Sequence, residues 1–222
     1  VGAFIGEPVM GTGGLIPPPE GYWNAVQKVL SKYEVLLIAD EVVCGFGRVG
    51  TPFGSHLYGM HPDLITVAKG LTSGYLPLSG VIVGERVWKV IERGSEELGP
   101  MGHGWTYSGH PLCAAAGLAN LDILERENLT ENARDTGLYL QEQFKNSFEN
   151  HPLVGEVRGV GLLAALEFVA DKSKKIRFEA DWKVGAKVSA ACLEQNLIAR
   201  AMPNGDILGF APPLSITKKE VD

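Results

Sequence analysis

Two short apolar runs, each ending on an ionisable residue, most constrain the fold of this chain. Residues 35–39 end on Asp40, and residues 64–68 end on Lys69, which Gly70 follows at once. Runs of this length, closed by polar residues or glycine, are typical of buried strands. Because chemistry in an open α/β sheet lies just beyond the carboxyl ends of the strands, an acid and an amine are expected at corresponding strand ends. On spacing alone, a solvated charge pair without a catalytic role is the more common alternative.

Elements of an α/β unit surround the two runs. A further apolar run at 78–84 is a third candidate strand, and Pro111 fits the first turn of a helix rich in alanine and leucine. The chain opens with an apolar run at 1–5, and a helix with apolar residues at helical spacing is expected from Glu20. This strand–helix–strand order predicts a parallel, right-handed crossover into the strand that ends on Asp40.

The C-terminal part of the chain has a different pattern, which predicts a small α+β domain. We place the domain boundary near Arg126, so that residues 1–125 and 126–222 form separate domains. The predicted elements of the second domain are a helix at 131–150, a hairpin formed by 157–161 and 162–169, a helix at 181–195, a short strand at 197–199 that ends on Arg200, and a strand at 207–210. Thr217 and Glu220 have the spacing of a capping box, which predicts a further helix start.

Charge and composition exclude several classes of function. The net charge is −6 and no basic block is present, so the chain lacks the electrostatic footprint of a nucleic-acid-binding protein. No apolar run approaches the length needed to span a membrane. The three cysteines are far apart and fit neither a disulfide framework nor a metal site, which indicates a reducing, cytoplasmic location. The five histidines show no metal-ligand spacing, so no metal is expected.

Several ordered blocks of this sequence resemble the class III (ω-type) aminotransferases, which are pyridoxal-phosphate enzymes of fold type I. The blocks are GEPVMGTGGLIPPPEGYW at 6–23, ADEVVCGFGRVG at 39–50, HPDLITVAKGL at 61–71 and GYLPLSGVIV at 74–83. The resemblance extends over nearly the whole chain. It implies an α/β fold with a mixed, mostly parallel sheet and flanking helices, followed by the small α+β domain.

The resemblance assigns the two strand-end residues to pyridoxal 5'-phosphate. It implies that the amine of Lys69 forms a Schiff base with the cofactor and later shuttles a proton as general base and acid. Asp40 would pair with the pyridine nitrogen and keep it protonated. Val42, two residues after Asp40, would pack against one face of the ring, a role that is compatible with an ordinary core position.

For three further residues the resemblance implies a functional role, and a purely structural role is the alternative. Thr106 would bind the cofactor phosphate of the neighbouring subunit, or it is only a turn or cap residue. Glu7 would lie near the cofactor, or it satisfies loop amides or an arginine. Arg200 would pair with the substrate carboxylate, for which a guanidinium has the right geometry, or it is a surface arginine.

The function implied is transfer of an amino group from an ω-amino acid or amine to a keto acid such as pyruvate, by a homodimer. The alternatives are an aminomutase or decarboxylase reaction on the same scaffold, or a fragment without catalytic activity. The chain begins within a predicted strand without an initiator methionine, so we expect an internal fragment that lacks the N-terminal half. Because such a piece leaves strand edges and apolar surface exposed, it is expected to fold poorly and to be inactive alone.

Overall fold

The computed structural model describes all 222 residues of the chain. They form two compact units, each built from separate stretches of sequence. The first unit contains residues 1–8, 19–46 and 53–128. The second contains residues 9–18, 47–52 and 129–222. No helix of the structure combines the length and the apolar character that crossing a membrane requires.

A four-stranded mixed sheet forms the centre of the first unit. Its strands are β1 (Ala3–Gly6), β2 (Leu36–Asp40), β3 (Leu64–Val67) and β4 (Gly80–Val83), in the order β1-β2-β3-β4. The first three strands are parallel, and β4 is antiparallel to β3. The helices are α1 (Tyr22–Lys32), α2 (Gly54–Leu57), α3 (Glu85–Leu98) and α4 (Pro111–Arg126). The predicted parallel pairing of β1 with β2 and the mostly parallel sheet are therefore confirmed.

The core of the first unit lies on one face of this sheet. Leu37 and Ala39 of β2 are buried there against Trp23 of α1 and Met60. Because successive side chains of a strand alternate between the two faces, Ile38 and Asp40 lie on the opposite face. The acid at the end of β2 is thus directed away from the apolar core.

The second unit contains an antiparallel sheet with helices. Its strands are β5 (Val154–Val160), β6 (Leu163–Phe168), β7 (Arg200–Ala201) and β8 (Ile207–Phe210), in the order β5-β6-β8-β7. The helices are α5 (Leu129–Phe148), α6 (Val184–Glu194) and α7 (Lys218–Val221). The hairpin of β5 and β6 confirms the predicted one, and the capping box of Thr217 and Glu220 is formed.

One strand of the second unit begins later in the chain than the sequence predicts. Residues 197–199 form no strand, and pairing with β8 begins only at Arg200, which lies opposite Gly209. The chain leaves α6 through a turn in which Asn196 has a φ of 64°, and the Ala199 carbonyl accepts a hydrogen bond from Ser189 Oγ at 2.6 Å. Because that carbonyl accepts from a side chain, it pairs with no neighbouring strand, and the side chain of Ile198 is exposed to solvent rather than packed in the sheet.

Candidate functional site

The two predicted strand-end residues lie at the same end of neighbouring parallel strands. Asp40 is the last residue of β2 and is in register with Thr66 of β3. Lys69 follows three residues after Thr66 and begins the 3₁₀ turn Lys69–Leu71. The backbone N–H of Glu41 donates to the Thr66 carbonyl at 3.0 Å, which continues the pairing of the two strands beyond Asp40. The parallel register therefore brings the carboxylate and the amine to one edge of the sheet.

One oxygen of the Asp40 carboxylate accepts a hydrogen bond and the other accepts none. Oδ1 accepts a hydrogen bond from the Val42 backbone N–H at 3.1 Å. No second hydrogen bond or ion pair reaches this half-buried carboxylate. On the same face of the sheet, the Thr66 Oγ1 is buried without a hydrogen-bond partner. Buried polar atoms are nearly always paired in folded proteins, so the unpaired Thr66 Oγ1 fits a polar group supplied by a bound molecule. The second oxygen of the half-buried Asp40 is open to solvent or to a ligand.

Lys69 is exposed, and its ammonium forms no hydrogen bond or ion pair. Its backbone has a φ of 39°, in the left-handed region that costs a non-glycine residue about 1–3 kcal/mol. Strain of this kind persists only where the surroundings fix the backbone. The residue lines an open cleft of about 520 Å³, together with Ala68, Thr72, Gly74, Leu76, Pro77, Leu78 and Ser79. Lys69 therefore borders a cleft large enough for a small ligand, and Asp40 is not among the residues that line it.

Close packing at Gly70 joins the loop after Asp40 to the turn that carries Lys69. A Cβ at Gly70 would lie 3.2 Å from the Cβ of Phe46 and 3.3 Å from the Gly45 carbonyl oxygen. Only glycine fits this approach without displacing its neighbours. The glycine directly after Lys69 thus allows the two segments of the site to meet.

Glu41 lies next to Asp40, and the sequence does not predict a role for it in the site. Its side chain is 0% exposed, and its two carboxylate oxygens accept hydrogen bonds from the backbone N–H groups of Gly54 at 2.8 Å and Ser55 at 2.6 Å. Its carbonyl accepts a further bond from Gly45 N–H at 2.8 Å. Glu41 therefore fastens the loop that follows Asp40 to the start of α2. The only sequence signal is an acid next to Asp40, and nothing in the spacing identifies its partners.

The remaining predicted residues of the first unit lie in loops. Glu7 directly follows β1, whose last residue Gly6 is in register with Ala39, so it leaves the sheet at the same edge as Asp40. Val42 contributes its backbone N–H to Asp40, as described above. Thr106 is exposed in the turn that precedes α4 and forms no hydrogen bond with Asp40 or Lys69.

Arg200 belongs to the second unit. It lies in the edge strand β7, where its side chain is exposed and makes no hydrogen bond or ion pair. Its guanidinium is thus available to an anionic ligand.

Comparison with known proteins identifies the family. The sequence model described as "Aminotransferase class-III" matches residues 1–222. The chain is 68% identical over 222 residues to the diaminobutyrate–2-oxoglutarate transaminase of Halomonas elongata and covers 47% of that protein. It is 47% identical over 223 residues to the putrescine–pyruvate aminotransferase of Pseudomonas aeruginosa, again covering 47%.

Solved structures agree with this assignment. A structure from work on the directed evolution of transaminases by ancestral reconstruction superposes with a TM-score of 0.99 at 75% identity, over 100% of this chain and 48% of that one. The chain therefore spans about half the length of the relatives it matches. The resemblance and the fold class predicted from the sequence are confirmed.

The cofactor of this family is pyridoxal 5'-phosphate, and the residues of the first unit fit it. The open oxygen of Asp40 can accept a hydrogen bond from a protonated ring nitrogen, and the unpaired ammonium of Lys69 is suited, once deprotonated, to bond with an aldehyde. The two groups lie at one sheet edge, as a single ligand held at two points requires.

Substitution of Glu41 tests how the loop after Asp40 is held. Glu41→Gln replaces one oxygen by an NH₂ group that would face a backbone N–H of Gly54 or Ser55. We expect the full-length protein to lose about 1–3 kcal/mol in free energy of unfolding, measured by chemical denaturation. Glu20→Gln, at an exposed residue, is the control and should change the value by less than about 0.5 kcal/mol. Equal effects of the two substitutions would show that the hydrogen bonds of Glu41 do not hold the loop.

Proposed function

Because the chain belongs to the class III aminotransferase family, we propose that the full-length protein moves an amino group from an ω-amino acid or amine to a keto acid such as pyruvate. The observation that carries this proposal is the pairing of β2 with β3. It puts an uncommitted carboxylate oxygen of Asp40 and an unpaired amine of Lys69 at one edge of the sheet.

The names of the relatives support the proposed class of substrate. Diaminobutyrate and putrescine, the donors named, both carry a primary amine at the end of an aliphatic chain. The acceptors named, 2-oxoglutarate and pyruvate, are both 2-oxo acids. Assays with each of the two keto acids distinguish between these acceptors.

The roles of Lys69 and Asp40 follow from their open groups. When bound, pyridoxal phosphate supplies an aldehyde that bonds to amines and a ring that accepts electrons from the substrate carbon. We assign to Lys69 Nζ the covalent attachment and, after displacement by the amino donor, transfer of the proton at the donor carbon. Asp40 Oδ2 would hold the proton on the ring nitrogen, while the Val42 N–H fixes the orientation of the carboxylate. The side chain of Val42 would pack against the ring.

Thr106 is proposed to bind the cofactor phosphate of a second subunit, which makes the protein a homodimer. In support, the segment 101–109 is exposed throughout, and it includes Trp105 at 74% and Tyr107 at 81% exposure. Large aromatic side chains at such exposure are typical of surfaces that become covered on association. A role of Glu7 near the cofactor and a cytoplasmic location stay predictions.

Substitution of Lys69 tests the function. Full-length protein should transfer an amino group from a terminal diamine to pyruvate or 2-oxoglutarate, and Lys69→Ala should lose this activity together with the visible absorbance of the lysine-bound cofactor. The control is Lys28→Ala, on the exposed face of α1, which should behave like the unsubstituted protein. Intramolecular migration of the amino group, or release of carbon dioxide without amination of the keto acid, would instead establish an aminomutase or a decarboxylase.

Substitution of Arg200 tests the carboxylate site. Loss of a charge-assisted hydrogen bond costs about 1.5–3 kcal/mol, so Arg200→Ala should raise the KM for pyruvate about 10- to 100-fold. The KM for a diamine, which has no carboxylate, should change little. Arg177→Ala removes another exposed arginine of the second unit that has no ion pair, and it serves as the control. An unchanged KM for pyruvate in Arg200→Ala would contradict the role.

A further inference from the structure

A side chain of α4 holds the turn that carries Lys69. Asn120 Nδ2 donates hydrogen bonds to the carbonyl oxygens of Gly70 at 2.8 Å and Leu71 at 3.2 Å. Its Oδ1 accepts a hydrogen bond from Ser73 Oγ at 2.7 Å. The whole amide of Asn120 is thus directed at the residues that immediately follow Lys69.

The turn needs such external support because its own hydrogen bonds are few. The 3₁₀ turn has three residues, and its internal bonds are those of Leu71 N–H to Ala68 O and Thr72 N–H to Lys69 O. A turn this short leaves its last carbonyls without backbone partners. Lys69 is also in the left-handed region, with a φ of 39°. The Asn120 amide satisfies the two open carbonyls and thereby stabilises this backbone conformation.

Close packing holds α4 near enough to the turn for Asn120 to reach the carbonyls of Gly70 and Leu71. Gly117, one turn earlier in the helix, is buried, and a Cβ there would lie 3.1 Å from Leu78 Cδ2 and 3.8 Å from the Leu71 carbonyl oxygen. Leu78 itself lines the cleft next to Lys69. Because a rigid helix carries Asn120 and packs on this cleft, the side chain can set the position of the turn rather than follow it.

We propose that Asn120 is a positioning residue for Lys69: its amide holds the 3₁₀ turn in the backbone geometry from which Lys69 Nζ can attack the cofactor aldehyde. Asn120 contacts no reacting atom in this role. The inference rests on the proposed function of Lys69 as the lysine that binds the cofactor.

Asn120→Asp in the full-length protein is the main test. The substitution keeps the shape and the acceptor for Ser73 but removes the two N–H donors. Misplacement by about 1 Å can cost on the order of 100-fold in rate, so capture of pyridoxal phosphate by the cofactor-free protein, followed by visible absorbance, should slow about 10- to 100-fold. The single-turnover rate at saturating amino donor should fall likewise, while the donor concentration at half-maximal rate stays unchanged.

Asn132→Asp is a matched control, because Asn132 of α5 has the same pattern of hydrogen bonds. Its Nδ2 donates to Leu214 O at 2.6 Å and Ile216 O at 3.0 Å, and its Oδ1 accepts from Thr136 Oγ1 at 3.1 Å. Both asparagines are half-buried. A merely structural role of Asn120 would give the two variants similar losses of thermal stability and equal capture rates. Equal capture rates would overturn the proposal.

Ser73→Ala is a milder variant that decides the question if Asn120→Asp does not fold. Ser73 is exposed, and its substitution removes only the hydrogen bond to Asn120 Oδ1. Capture should slow about 2- to 10-fold, in line with the loss of one ordinary hydrogen bond. In that case an unchanged rate would overturn the proposal.

Borohydride reduction of the cofactor-bound protein, followed by peptide mapping, separates this inference from the proposed function. Label on Lys69 in the unsubstituted protein supports the premise. Label on another lysine overturns both the function and the inference. Label on Lys69 together with unslowed capture by Asn120→Asp overturns only the role of Asn120.

Discussion

The parallel pairing of β2 with β3 is the constraint on which the site depends. Parallel strands end at the same edge of a sheet, so the register of Asp40 with Thr66 decides that an acid and a lysine lie at one edge of the sheet. A shift by one residue would direct Asp40 into the core beside Trp23 and remove it from that face. The buried face of β2, formed by Leu37 and Ala39, therefore fixes the register as well as the stability of the sheet.

Charged residues of this chain divide into those whose hydrogen bonds are saturated and those that are left open. Arg158 is buried and binds Glu156 at 2.7 Å, Glu167 at 2.5 Å and the Gly14 carbonyl, and Glu41 is saturated by two backbone N–H groups. Buried charges need such partners, and these residues hold loops in place. Lys69 and Arg200 have no such partners, and Asp40 keeps one oxygen free. Residues that are to bind a ligand must stay available, and the open groups of Asp40, Lys69 and Arg200 meet this requirement. Exposed charges without a partner, such as Arg177, are common at the surface, so the openness alone assigns no role.

Sequence alone predicts the strands of the site because each is a short apolar run that is followed directly by a charged residue. The same runs predict Asp40 and Lys69 as strand-end residues. Apolar patterning cannot predict Glu41 or Asn120 as parts of the site, because their partners lie 13 to 50 positions away and depend on how α2 and α4 pack. The strand predicted at 197–199 is wrong because a hydrogen bond from Ser189 holds the Ala199 carbonyl, which the pattern does not reveal. The assignment of 9–18 and 47–52 to the second unit likewise arises only from long-range contacts.

In the proposed site, Asp40 and Lys69 hold opposite ends of one cofactor. The most direct measurement is a crystal structure of the full-length protein with pyridoxal phosphate bound. It should show Lys69 Nζ bonded to the aldehyde carbon and an Asp40 oxygen about 2.7–3.0 Å from the pyridine nitrogen. A cofactor bonded to another lysine, or a ring nitrogen that faces a residue other than Asp40, would contradict the claim.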